Sequence, residues 1–168
     1  TSLQGTYVNY HKLRLVIDKL GSNIIETPYV HGGLLVISKT PMFLIDTSAQ
    51  GCNEVEFVSF KRQGITFHLI YKHPKTAMST LVQVLQDLLP DDNRPTVFVG
   101  DFNVNLRTHA KSALSKLMIT LGFGQFVSFP THRSGSRIDH VWANFRLSTP
   151  PSHLETYDSD YFPLIFQT

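Results

Sequence analysis

The chain has 168 residues, enough for one domain with a substantial core. It is 42% hydrophobic and 17% charged, an ordinary globular balance. The formal net charge of +2 is too small to announce a nucleic-acid binder by itself, and no apolar run approaches the roughly 18 residues that a membrane span needs. The single cysteine, Cys52, cannot form an internal disulfide, which suits a reducing compartment or has no bearing at all. No Asn-x-Ser/Thr acceptor, repeat or low-complexity segment is present, and no signal peptide is visible at Thr1. The chain opens directly inside a motif, as a fragment would. An intracellular location, the nucleus included, is expected.

Tyr10, Leu13, Val16, Ile17 and Leu20 fall at helical spacing, with Gly21 as a natural stop. Asn23 to Thr27 reads as a short strand. Gly33 to Ser38 and Met42 to Ile45 read as two strands joined by a turn at Lys39-Thr40-Pro41. Val55 to Lys61 alternates Val55, Phe57 and Ser59 against Glu56, Val58 and Phe60, which suits a strand with both faces partly buried. Gln63-Gly64 then turns the chain tightly, and Ile65 to Tyr71 returns as the second arm of a hairpin. Leu81, Val82, Leu85, Leu88 and Leu89 mark an amphipathic helix ended by Pro90.

The polar loop 91–95 leads into Thr96-Val97-Phe98-Val99, a β-branched and aromatic run that suits a buried strand. Ala110, Ala113, Leu114, Leu117, Met118 and Leu121 trace another helical stripe, closed by Gly122. Phe126 to Phe129, Ile138 to Ala143 and Leu164 to Phe166 read as the last strands. Strands in hairpins and mixed runs, with two or three helices among them, fit two mixed sheets packed face to face with helices outside. No linker interrupts the pattern, so residues 1–168 are expected to form one domain.

The strand from Thr96 runs into Gly100-Asp101-Phe102-Asn103. If the extension persists, Asp101 and Asn103 point the same way. An acid and an amide at the C-terminal mouth of a buried strand make a site, although the same residue types make ordinary turns. Two more acid-bearing segments follow, Ser136-Arg137-Ile138-Asp139-His140 and Tyr157-Asp158-Ser159-Asp160-Tyr161, and Ser2-Leu3-Gln4-Gly5-Thr6 stands near the start.

These four segments, in this order, resemble the endonuclease/exonuclease/phosphatase superfamily, which has the deoxyribonuclease I-like fold. The family carries Gln-Glu, then Gly-Asp-Phe-Asn, then Ile-Asp-His or similar, then Ser-Asp-His. The wording is similar to endonuclease domains of transposable elements, Helitron-type ones in particular, and it covers nearly the whole chain. The resemblance implies an α/β four-layer sandwich of two mixed β-sheets flanked by helices. It implies Mg²⁺-dependent phosphodiester hydrolysis, since a hard cation with oxygen ligands neutralises charge on the phosphate. In that chemistry Asp101 would activate water and Asn103 would hydrogen-bond the phosphate. Asp160 would help hold the metal, and Asp139 would orient the group at position 161 as a carboxylate fixes an imidazole. Tyr71, in Ile-Tyr-Lys-His-Pro, matches a tyrosine that the family places near the phosphate.

Three departures accompany the matches. Gly5 stands where the family has its metal-binding glutamate. Tyr161 replaces the histidine of Ser-Asp-His, and a phenol with a pKa of about 10 supplies no positive charge at neutral pH. The family's first strand would precede Thr1. The chain is therefore expected to be a nuclease of strongly reduced or lost activity, with Mg²⁺ bound weakly or not at all when free. The rival is a pseudoenzyme that serves as a nucleic-acid or protein interaction module, and a lipid or nucleotide phosphatase is a third reading. The absent strand would leave a sheet edge open to self-association.

Arg133-Ser134-Gly135-Ser136-Arg137 is a basic loop just before Asp139. It suits either a DNA backbone, with Arg107 and Lys111 joining it, or plain solvent. Lys61, Arg62, Lys72 and Lys75 read mainly as surface. The eight histidines show no zinc-site spacing. His140 follows Asp139 on a strand, so it faces away from it in a structural role.

Overall fold

The computed structural model describes residues 23–26, 34–48, 54–89, 93–153 and 160–168. The expected helix over 10–20 and the degenerate position Gly5 lie outside the described residues. The elements are, in order, β1 (Asn23–Glu26), β2 (Leu35–Ser38), β3 (Phe43–Thr47), β4 (Val55–Arg62), β5 (Ile65–Lys72), α1 (Met78–Asp87), β6 (Thr96–Asp101), α2 (Ala113–Thr120), β7 (Gly124–Gln125), β8 (Asp139–Ala143), β9 (Thr149–His153) and β10 (Leu164–Gln167).

Six strands make one mixed sheet in the order β3-β4-β5-β6-β8-β7, while β1-β2 and β10-β9 form two small sheets. Gln63 and Gly64 take positive φ angles (50° and 81°) and turn β4 tightly into β5. The register that follows sets Val55 opposite Lys72 and Glu56 opposite Tyr71. β6 joins β5 in parallel through the α1 crossover, and β8 returns antiparallel to β6.

Alternation along these strands sends apolar side chains to both faces, and each face carries a core. On one face Val55, Ile70, Phe98 and Trp142 pack against Leu81 and Leu85 of α1 and Leu114 and Met118 of α2. On the other, Val58, Phe60, Leu69, Val97 and Val141 pack with Val36 of β2 and with Leu164 and Phe166 of β10. The layers are thus helices, large sheet and small sheets, a mixed α/β arrangement. α2 starts at Ala113 because Ser112 caps it, its hydroxyl accepting the Ser115 N–H at 3.2 Å. No helix among the described residues is long and apolar enough to cross a membrane.

The expected last strands need correction. Residues 126–129 are not a strand, because the ladder on β8 consists of Gly124 and Gln125 and one further bond from the Phe126 N–H to the Val141 carbonyl. The Val127 carbonyl accepts instead from the Arg137 guanidinium at 3.0 Å. β9 carries Pro150 and Pro151, which withhold two N–H groups and disguise the strand in the sequence. Adjacent N–H groups point to opposite edges, so one missing donor falls on the unpaired edge and the other where the β9–β10 ladder shifts register between Ile165 and Gln167.

Candidate active site

The site is a row across the large sheet. Register places Glu56 of β4 beside Tyr71 of β5, Tyr71 beside Asp101 of β6, and Asp101 beside Asp139 of β8. Directly paired residues share a face, so all four side chains rise from the face that also bears Val58, Leu69, Val99 and Val141. The row lies at the end of that inter-sheet core, where the apolar filling gives way to acids. Tyr161 closes it from the C-terminal segment.

Burial governs the electrostatics. Asp101 and Asp139 are each 3% exposed. Burial pushes the Asp101 carboxyl up to about 6, against the opposing pull of the Asn103 N–H and the Lys72 charge. Burial and then the facing Asp101 push Asp139 up to about 7, while a hydrogen bond from Thr131 and backbone bonding pull it down. The Tyr161 phenol is pushed up to about 12 by burial first, then by Asp101, Asp139, Tyr71 and Asp160. Tyr71 is raised by burial, Asp101 and Glu56. Both phenols are therefore neutral donors at physiological pH. A cavity of about 20 Å³ lined by Gly100, Asp139 and Tyr161 has room for one water molecule. A larger cavity of about 170 Å³ lies between the sheets, and no acid lines it.

The extension expected to carry both Asp101 and Asn103 ends at Asp101. Asn103 takes a positive φ of 47°, and its N–H donates to Asp101 Oδ1 at 2.8 Å, an Asx turn that folds the chain back. Its amide Nδ2 then donates to the Lys72 carbonyl at 2.7 Å. Asn103 thus reaches the site through a turn and commits one of its two amide protons to β5. His140 does face the other way. It is fully buried, stacks on Phe102 and holds the Val104 carbonyl at 2.9 Å, a structural role.

The basic loop divides. Arg137 donates to the carbonyls of Val127 at 3.0 Å and Leu106 at 3.3 Å, so its guanidinium braces two loops. Arg107 donates to the Gly135 carbonyl at 2.7 Å, a similar brace. Arg133 is exposed, and its Nη1 stands 3.9 Å from the exposed Asp160 carboxylate. Lys72, expected at the surface, is 4% exposed with Nζ donating to the His73 carbonyl at 3.1 Å.

Sequence reasoning missed three neighbours, Glu56, His73 and His132. His73 Nε2 bonds Glu56 Oε1 at 2.9 Å, and its ring meets Tyr71 edge-on at 4.8 Å. Glu56 could have been found, because it is an acid on the inward register of Val58 and Phe60. His132 lies against Tyr161, and nothing local in the sequence marks it.

A row of buried acids and half-buried phenols at a sheet end, on a sheet with helices on one face and further strands on the other, defines an α/β domain with a candidate acid–base site. Residues 2–160 match the family model described as the Endonuclease/Exonuclease/phosphatase family, and the chain belongs to that family. No curated protein matches it in sequence. Among solved structures it is similar to an endonuclease/exonuclease/phosphatase family protein from Leptotrichia buccalis, at 14% identity and a TM-score of 0.61, covering 99% of this chain and 82% of that one. It is also similar to the endonuclease domain of TRAS1, a telomere-specific non-LTR retrotransposon, at 15% identity and a TM-score of 0.63, covering 87% and 77%. The cytolethal distending toxin from Actinobacillus actinomycetemcomitans gives 18% identity and a TM-score of 0.62, covering 87% and 68%. At such identities the likeness is one of fold.

Members of the family generally depend on a divalent metal. The described residues contain no group of three His, Cys, Asp or Glu side chains that could hold one. Asp160, the acid assigned to the metal, stands on the rim with its side chain 70% exposed, beside Arg133. The described residues do not make a complete metal site.

Proposed function

We propose that the domain handles DNA phosphodiesters as a nuclease of transposable-element type, working far below the rate of an intact site. The observation that supports this most is the in-register row Glu56–Tyr71–Asp101–Asp139. Asp101 takes a proton from the attacking water, and its pKa of about 6 leaves it mostly ionised yet basic at neutral pH. The Tyr71 and Tyr161 hydroxyls and the remaining Asn103 amide proton donate to phosphate oxygens, and Asp139 steadies the Tyr161 side of the row. Asp160 would offer Mg²⁺ a single exposed carboxylate, which by itself holds that ion weakly. Activity is low because Gly5 offers no carboxylate and Tyr161 no positive charge.

A plasmid-nicking assay with Mg²⁺ or Mn²⁺ tests this. Slow nicking is expected, falling as pH drops through about 6 and lost by 10²-fold or more in Asp101→Asn. A parent that binds DNA but never cuts it would establish the interaction module instead.

We also propose self-association through β3, which ends the large sheet among the described residues. Phe43, Leu44 and Ile45 there are 71%, 56% and 55% exposed, a run that natural edges avoid. Light scattering should show a dimer or larger species that Leu44→Lys disperses. A monomeric parent at high concentration would refute it.

A further inference from the structure

We propose that His132 is a substrate-contacting residue, whose Nε2–H donates to a phosphate of the nucleic-acid backbone at the mouth of the acid row. The inference rests on the phosphodiester reading above.

His132 is held in place from several sides. It forms an antiparallel bridge with Tyr161, and the two rings meet edge to face at 5.0 Å and 84°. Its neighbour Thr131 is fully buried. The Thr131 hydroxyl accepts the N–H groups of Ile138 at 3.2 Å and Asp139 at 3.1 Å, and its carbonyl accepts the Phe162 N–H at 2.9 Å. On the other side the Arg133 N–H donates to the Asp160 carbonyl at 2.8 Å. The segment carrying His132 is thus pinned both to the start of β8, which bears Asp139, and to the strand-like turn that bears Asp160 and Tyr161.

The ring's polarity is set as well. The Ser134 N–H donates to His132 Nδ1 at 3.1 Å, so Nδ1 is an acceptor and the ring proton of the neutral form sits on Nε2. The ring is half-buried and Arg133 beside it is exposed. A backbone phosphate approaching Asp101 and Asp139 past Tyr161 meets this pair, with one directional donor and one charged fork. The donor is oriented in advance, because neither the bridge nor the Ser134 bond has to form on binding.

The test is binding of a short phosphorothioate DNA that resists cleavage, measured by anisotropy for the parent, His132→Phe, His132→Gln and Ile119→Ser, the last an exposed side chain of α2 on the opposite side of the large sheet. His132→Phe keeps an aromatic ring on Tyr161 and removes the donor, and His132→Gln keeps an amide donor. His132→Phe is expected to weaken binding about tenfold, with His132→Gln recovering much of it and Ile119→Ser binding like the parent. A monodisperse His132→Phe that binds as tightly as the parent would overturn the proposal and leave the nuclease reading intact. No binding by the parent would overturn both. Normal His132 dependence in a parent that never nicks DNA would support the contact and defeat the catalytic reading alone.

Discussion

Gly100→Ala is expected to destabilise the domain by more than about 4 kcal/mol and to leave little folded protein at physiological temperature. Gly100 lies inside β6 with φ at +143°, a region that side chains rarely adopt. A Cβ there would stand 1.9 Å from the Ile70 carbonyl oxygen and 2.9 Å from its carbon. Both are backbone atoms of the strand paired with it, since Ile70 is the register partner of Gly100. No rotamer change relieves such a clash; β5 and β6 would have to separate immediately before Asp101. Gly122→Ala is the control. Its φ is also positive, at +80°, but no atom lies within 4 Å of the added Cβ, so only the backbone term of about 1–2 kcal/mol applies. Urea unfolding of the three proteins checks this, and coincident midpoints for the parent and Gly100→Ala would defeat it.

Gly100 also shows where the sequence stops being readable. Gly-Asp-Phe-Asn reads as a strand that halts at its glycine. In the fold the strand runs through the glycine, which lets β5 approach, and halts at Asp101. The hairpin was legible because Gln63-Gly64 fixes a two-residue turn. From that turn the pairing of Glu56 with Tyr71 follows by counting. The next two steps of the row do not follow. β5–β6 is a parallel pair set by a crossover, and β6–β8 joins segments separated by a helix and a long loop, so their registers are tertiary choices. The two helices were placed to within a few residues by their apolar stripes. Arg137 illustrates the opposite limit. Local composition marks a basic loop, but only the fold reveals that its guanidinium serves two carbonyls.

Asp139→Asn is expected to raise stability at neutral pH by roughly 2–4 kcal/mol while impairing the site, from a pKa raised by about three units at about 1.4 kcal/mol each. Asp101 and Asp139 both have folded pKa values above the usual 3.8, at about 6 and about 7. Between about pH 4 and 7 the folded chain therefore holds protons there that the unfolded chain has lost. These two groups lower stability as pH rises through that window, and the cost is complete above it. His68 and His140 act in the opposite sense. Burial lowers both from 6.5 to about 4, so their contribution is full above 6.5 and is lost as pH falls. The two pairs nearly offset each other in the parent, whose stability should change little between about pH 4.5 and 6. Removing one acid unmasks the histidines. Asp139→Asn should match the parent near pH 4, gain on it steadily as pH rises, and hold a constant advantage above about pH 8. Asp101→Asn should behave alike, and the double variant should gain less than the sum, because either change relieves the repulsion between facing carboxylates. Thermal or urea unfolding at several pH values measures this directly. An Asp139→Asn protein less stable than the parent at pH 8, or one whose advantage is the same at pH 4, would show that the pair is not held against a burial penalty. With the expected result, the facing acids are a destabilising feature that the fold tolerates, as sites kept for chemistry commonly are.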